Sequence, residues 1–248
     1  MRKTILITGA SAGLGRGMAQ EFAARGHDLA LCARRLDVLE KLRGELLDAH
    51  PQLRIEIASL DVNDYSAVFR VFQDMAQAFG RLDRVIVNAG IGKGVPIGKG
   101  GFAVNKETAE TNFIAALAQC EAAVDIFRAQ NAGHLVTMSS VSAVRGFRGP
   151  MTTYAATKAA LANLSEGIRV ELLHTPIKVS TIYPGYILTD INRDIDNAPF
   201  RVDLETGCKA LVKAIEREPH EAFVPGWPWT LMAKAMRAMP LRSLRQFS

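Results

Sequence analysis

The chain has 248 residues, 48% hydrophobic and 22% charged, the balance of a globular protein with a sizeable core and too few charges for a disordered one. Its first apolar run, Ile5-Leu6-Ile7, is too short for a signal core or a membrane span, and Cys32, Cys120 and Cys208 lack disulfide-frame or CxxC metal spacing, which predicts a cytoplasmic protein with reduced thiols and no metal site. Of the net charge of +5, +4 sits in residues 226–248 (Lys234, Arg237, Arg242 and Arg245, with no acid), leaving +1 for the rest, so no nucleic-acid partner is expected.

Short aliphatic runs alternate with amphipathic or Ala-rich stretches. The pattern predicts strands over Thr4–Thr8, Asp28–Cys32, Arg54–Ser59, Arg84–Asn88, His134–Ser139, Lys178–Tyr183 and Ala222–Pro225. Helices are expected near 14–25, 36–49, 64–79, 105–130, 152–174 and 204–217. In the third of these, Val68, Phe69, Phe72, Met75, Ala76 and Phe79 recur at helical spacing. Asn63 or Asp64 stands where a cap belongs, and Pro51 and Gly80 punctuate on either side. Seven strands alternating with six helices imply an α/β fold: a single Rossmann-type, doubly wound parallel sheet of about seven strands with helices on both faces. Residues 1–225 read as a dinucleotide-binding catalytic domain and 226–248 as a basic, amphipathic C-terminal extension. Gly90–Gly101 is the one long internal loop, and its glycines predict mobility.

The first strand runs into Thr8-Gly9-Ala10-Ser11-Ala12-Gly13-Leu14-Gly15 and then a helix. Three glycines alone equally suit an ordinary turn before a helix. In this position Gly9 makes the tight turn, Gly13 lets backbone approach a diphosphate, and Gly15 allows close helix–strand packing. The helix start then offers unpaired N–H groups and a positive dipole end to phosphate. The second strand ends at Ala33-Arg34-Arg35. A carboxylate here would bind the ribose 2′-hydroxyl of NAD, whereas a guanidinium can grip the 2′-phosphate of NADP(H). Arg34 is the first candidate. The alternative is that both arginines only solvate a loop.

Tyr154 and Lys158 stand four apart in Tyr154-Ala155-Ala156-Thr157-Lys158 and so share one helix face. A phenol is a poor base at neutral pH, and a neighbouring ammonium is expected to favour the phenolate. On its own the spacing fits a surface pair equally well.

TGASAGLG at 8–15, Asn88-Ala89-Gly90, Ser139-Ser140 and YAATK at 154–158 occur in an order and at separations that resemble the short-chain dehydrogenase/reductase family over residues 3 to about 190. The resemblance implies a tetrad: Tyr154 as acid/base, Lys158 lowering its pKa and holding the nicotinamide ribose, Ser140 bonding the substrate oxygen, and Asn112 holding a water linked to Lys158. Ser139 and Ser142 rival Ser140, and Asn112 could instead stabilise a helix bend. It further implies that Ser11 and Leu14 of the glycine loop, Asp61-Val62 and Asn88-Ala89-Gly90 meet the cofactor, with Asp61 alternatively helping a cap and Asn88 tying the sheet together. Pro184, Gly185, Ile187 and Thr189 would meet the nicotinamide end. The implied activity is hydride transfer between NADP(H) and a small-molecule carbonyl or secondary alcohol, in a homo-oligomer. A non-catalytic dinucleotide-binding regulator and an epimerase or dehydratase relative are the alternatives.

Two segments depart from the family pattern. The stretch after Thr189 is short and charged (Asp190-Ile191-Asn192-Arg193-Asp194), and the chain continues past Pro225 into Trp227-Pro228-Trp229 and a basic tail. Pocket-lining candidates lie at 91–101, 143–151 and 186–200, among them Val144, Phe147, Met151, Tyr186, Ile191 and Phe200, with Arg145, Arg148 and Arg193. In the tail, Leu231, Met232, Ala235, Met236 and Met239 are expected on one helical face opposite Lys234 and Arg237, with Pro240 ending the turn and Leu241, Leu244 and Phe247 beyond it. This helix would wall the pocket, form a subunit interface, or lie on a membrane surface as a peripheral contact.

Overall fold

The computed structural model describes residues 2–189 and 200–245. Seven strands form one parallel sheet in the order β3-β2-β1-β4-β5-β6-β7. They are β1 (Thr4–Thr8), β2 (Asp28–Ala33), β3 (Ile55–Ser59), β4 (Arg84–Val87), β5 (Gly133–Met138), β6 (Ile177–Pro184) and β7 (Glu221–Val224). Every predicted strand is present to within a few residues of its expected ends. The chain order reverses between β1 and β4, the switch point at which an open α/β sheet leaves a crevice beyond its strand carboxyl ends.

Alternation along the strands divides the core. Leu6 of β1 faces one layer, where α3 (Tyr65–Phe79), α5 (Ala115–Gln130) and α6 (Met151–Glu171) bring Phe72, Phe127 and Leu161. Ile5 and Ile7 face the other, where α1 (Gly13–Ala24), α2 (Leu36–Ala49) and α7 (Leu204–Glu216) bring Phe22, Leu39 and Leu211. Asp64 caps α3 by accepting from Ala67 N at 3.0 Å, and Gly80 ends that helix in the left-handed region at φ +80. At the amino ends of the strands the fully buried Arg84 donates to His134 Nδ1 at 2.8 Å and to Glu218 at 3.2 Å. Burial lowers the pKa of both Arg84 and His134.

The single helix expected over 105–130 is two helices and a wider turn. α4 (Phe102–Ala109) passes through a π-helical turn, Glu110–Ile114, into α5. Asn112 sits in that turn. Its Nδ2 donates to Ile91 O and its Oδ1 accepts from Ile91 N, both at 2.8 Å. Further along the same helical run Thr108 donates to Lys93 O at 2.8 Å, and Asn105 bonds both Val95 N (3.0 Å) and Val95 O (2.9 Å). Helix side chains at 105, 108 and 112 thus hold loop residues 95, 93 and 91, every second residue of an extended segment. The glycine-rich loop predicted to be loose is stitched along this stretch.

The extension folds as α8 (Gly226–Ala238) and α9 (Leu241–Leu244). Trp229, Ala233, Met236 and Leu244 are buried, while Trp227, Leu231 and Leu241 are exposed. The predicted apolar face is therefore rotated: Leu231 and Ala235 point outward, because Trp229 and Ala233 take the inner positions. Among the described residues no helix is long and apolar enough to cross a membrane. The three cysteines are free and buried, and burial raises each thiol pKa to about 12.

Candidate active site

A cleft of about 360 Å³ opens along the carboxyl ends of the strands. From β1 come Gly9, Ser11, Gly13 and Leu14. From β2 come Arg34 and Arg35, from β3 Asp61 and Val62, and from β4 Asn88, Ala89 and Gly90. Ser140 follows β5, Tyr154 and Lys158 stand on α6, and Pro184, Gly185, Ile187 and Thr189 come from the end of β6. Of the predicted catalytic and cofactor residues, only Gly15 and Asn112 do not line it. Both lie just behind: a Cβ on Gly15 would come within 2.3 Å of Gly9 O, and one on Gly90 would lie 3.1 Å from Asn112 Oδ1 and 3.5 Å from Lys158 Nζ.

The glycine turn is built from the switch point outward. Gly9 adopts φ +67, a region costly for any residue with a Cβ. Buried Thr8 accepts from Asn88 N and Ala89 N, both at 3.1 Å, and donates to Gln119 at 2.7 Å. Asn88 Nδ2 donates to Thr8 O at 2.8 Å, so this asparagine does tie β1 to β4. The cap residue of α1 is Ala12, and no side chain closes the helix start. α3 and α7, by contrast, are capped by Asp64 and Asp203. The first amides of α1 are thereby left for an anion in the cleft. Arg35 donates to Ser11 Oγ at 3.1 Å and helps shape this loop. The exposed Arg34 has no carboxylate partner among the described residues, and no acid stands at the end of β2. Asp61 accepts from Asn63 N at 3.0 Å rather than capping α3.

At the other end, Lys158 is 5% exposed and its Nζ donates to Met138 O at 2.8 Å. Burial brings its pKa down to about 8. Tyr154 lies beside it, with the ammonium 5.8 Å from the ring centroid. Its pKa is raised, not lowered: burial dominates, against a smaller opposing effect from the Ser140 hydrogen bond. The ammonium, which donates to the Met138 carbonyl, is not among the groups that shift it. A phenol in this state is a proton donor at neutral pH. Of the three serines, Ser139 and Ser140 line the cleft and Ser142 does not, and Ser140 is the one whose hydroxyl opposes the rise in the Tyr154 pKa. Ser139 donates to Lys158 O at 2.8 Å, and Ser142 donates to Ser140 Oγ at 3.0 Å. Asn112 holds both a helix turn and a loop, so its amide is consumed largely by structure.

Sequence reasoning missed several lining residues. Asn63, Glu107 and Thr111 reach the cleft, and Asn63 donates to Thr111 at 3.1 Å. The i, i+4 spacing of 107 and 111 was the available signal. Of the predicted substrate-side residues, Ile91 lines the cleft, whereas Val144, Phe147, Met151, Tyr186 and Phe200 are not among its walls. Ile191, Arg193 and Phe247 lie outside the described residues. The largest omission was Trp229, which packs on Gly185.

Residues 3–199 match the family model described as short chain dehydrogenase. The chain is 49% identical over 247 residues to an uncharacterized oxidoreductase of Mycobacterium tuberculosis, covering 100% of this chain and 98% of that one. Its fold is similar to a short-chain dehydrogenase from Streptomyces avermitilis, with TM-score 0.81, 26% identity and coverage of 96% and 94%. A short chain dehydrogenase/reductase from Burkholderia phymatum, solved in complex with NAD, has TM-score 0.84 at 20% identity, covering 96% of this chain and 93% of that one.

Proposed function

Since the chain belongs to the short chain dehydrogenase family of oxidoreductases, we propose that it reduces a small-molecule ketone or oxidises the corresponding secondary alcohol with NADP(H), Tyr154 acting as acid/base. The observation that carries this reading is the meeting of Ser140, Tyr154 and Lys158 in the cleft that also holds the glycine turn. A bound nicotinamide supplies or accepts the hydride. Tyr154, neutral at pH 7, gives its proton to the oxygen of the reduced carbon, and Ser140 donates to the same oxygen. Lys158 stays cationic below about pH 8 and would hold the ribose while stabilising the phenolate left behind.

The residues fit the cofactor. The uncapped start of α1 suits a diphosphate, Asp61 and Val62 suit an adenine, and Ile187 and Thr189 suit a carboxamide. Arg34, with no carboxylate at the end of β2, supports NADP(H) over NAD. A neighbour of this fold was solved with NAD, so the fold alone does not choose. A non-catalytic regulator would have no need of the three converging groups. The proposed setting is cytoplasmic and homo-oligomeric. The burial of Trp229 and Met236 supports the extension as part of its own domain, leaving Trp227, Leu231 and Leu241 as the apolar residues available to a membrane surface or a second subunit.

A panel of ketones with NADPH, followed at the nicotinamide absorbance, tests the reading. Tyr154→Phe should lower turnover by about 10²–10⁴-fold while leaving NADPH affinity nearly intact. Full activity in that variant on a verified ketone would overturn it.

A further inference from the structure

Gly94 and Pro150 belong to different segments, yet a Cβ on Gly94 would lie 1.8 Å from Pro150 O and 2.8 Å from its carbonyl carbon. Gly94 is not among the glycines with positive φ, so glycine is needed here for space and not for conformation. Pro150 is the cap residue of α6. Its carbonyl therefore accepts the first bond of that helix, from the amide four residues on, which is that of Tyr154. The carbonyl of Tyr154 is held from the same side. Thr157 Oγ1 donates to it at 2.7 Å, and Asn112 Nδ2, which also holds Ile91 O, stands 3.4 Å from that hydroxyl. Both peptide units that flank Gly94 are fixed in turn by α4: Thr108 donates to Lys93 O at 2.8 Å, and Asn105 accepts from Val95 N at 3.0 Å. The backbone at 94 thus has no room to retreat from Pro150.

We infer that Gly94 and Thr108 are positioning residues for the acid. Thr108 pins the loop, Gly94 lets the pinned backbone close on Pro150 O, and the loop becomes the stop against which α6 presents Tyr154 to the cleft. The inference rests on the reading of Tyr154 as the acid. Tyr154 lines the cleft, whereas Gly94 and Thr108 do not, so both act through the main chain of the helix and not on substrate.

The test uses the full chain at saturating NADPH and the ketone turned over fastest in the panel, and reads kcat. Gly94→Ala should lower it by about tenfold or more, since a misplacement of about 1 Å carries effects of up to about 10²-fold. Gly167, further along the same helix, has open space where a Cβ would stand, and Gly167→Ala should leave kcat unchanged. A clash with backbone can stop a chain folding, so Thr108→Val makes the milder break: it keeps the shape of the side chain and loses the donor to Lys93 O. It should lower kcat about tenfold, and Thr108→Ser, which keeps the hydroxyl, should restore most of the loss. On the Tyr154→Phe background, Thr108→Val should change the residual rate by less than about twofold, the non-additivity of residues that act through one group. Wild-type kcat in Thr108→Val, a Thr108→Ser chain no better than it, or the same fold loss on both backgrounds would overturn the inference.

Tyr154→Phe alone reports separately on the acid. A readout independent of turnover uses the four tyrosines of the chain. In protein carrying isotope-labelled tyrosine, the amide signal lost in Tyr154→Phe is that of Tyr154. In Thr108→Val this signal should shift and its proton should exchange with solvent about tenfold faster, while Tyr65 on α3 does not change. An unaltered Tyr154 amide refutes the seating whether or not Tyr154 proves to be the acid.

Discussion

Replacing Lys158 by methionine should stabilise the fold while disabling the site. The side chain is 5% exposed and, among the described residues, its ammonium makes one hydrogen bond, to Met138 O. Its pKa falls from 10.5 to about 8 on burial. At about 1.36 kcal/mol per unit, these 2.5 units make the charge cost about 3 kcal/mol below pH 8. The sign follows from proton binding: between pH 8 and 10.5 the unfolded chain holds the proton and the folded chain has released it, so stability rises with pH across that window. The cost is about 3 kcal/mol at pH 6.5 and about 2 kcal/mol at pH 9. Methionine removes it but leaves the Met138 carbonyl without its donor, a loss of about 1–2 kcal/mol. The net gain at pH 6.5 is about 1–2 kcal/mol, a rise in Tm of about 3–6 °C for a chain of this size. Thermal unfolding followed by circular dichroism at pH 6.5 and 9 measures it, and the advantage should shrink by about 1 kcal/mol at the higher pH. A Tm lowered at both pH values, or an advantage unchanged by pH, would refute the claim that this cation is held against its desolvation cost.

Arg34→Ala should narrow the preference for NADPH over NADH by about 1.5–3 kcal/mol, the worth of a charge-assisted contact, measured as the ratio of the two Kd values. An unchanged ratio would assign the selectivity elsewhere. Asn105→Leu removes both bonds to Val95 and should cost about 1–2 kcal/mol of stability with a higher ketone KM, and wild-type values for both would mean the loop is held by other means. Ending the chain after Gly226 removes Trp229, Met236 and Leu244, each worth about 1.5–3 kcal/mol of burial, so the truncated protein should unfold several degrees lower. An unaltered Tm would show that the extension is not part of the core.

Much of this architecture is legible in the sequence because β-branched runs and helical periodicity fix where strands and helices lie. The glycine turn, Arg34, Ser140, Tyr154 and Lys158 fall into one cleft because each ends or follows a strand whose place in the sheet is set by the alternation. What was not legible has physical reasons. The π turn at Asn112 changes the helical period for a single turn, too briefly to register against Ala-rich neighbours. The apolar face of α8 was misassigned because Leu231, Met232, Ala235 and Met236 form a plausible stripe, while Trp229, one turn earlier, decides which face is buried. The direction of the Tyr154 pKa follows from how deeply the phenol is buried, which the spacing of Tyr154 and Lys158 does not reveal. Asn105 and Thr108 read as ordinary polar helix residues until their loop partners are known.

The stitching of residues 91–95 onto the helix has a bearing on how this protein could change its chemistry. All the bonds involved grip the loop's main chain, while the groups that grip it belong to another element. The side chains of Ile91, Lys93 and Val95 contribute nothing to those bonds, but Lys93 pairs with Glu107 at 3.0 Å and Val95 fills the space beside Gly101, so Ile91, which lines the cleft, is the one most open to redesign while the scaffold beneath it stays put. Gly94 is fixed as well, since a Cβ there would lie 1.8 Å from Pro150 O. A library that varies 91 and leaves 93, 94, 95, 105, 108 and 112 untouched would therefore change one wall of the cleft while its backbone stays held from below.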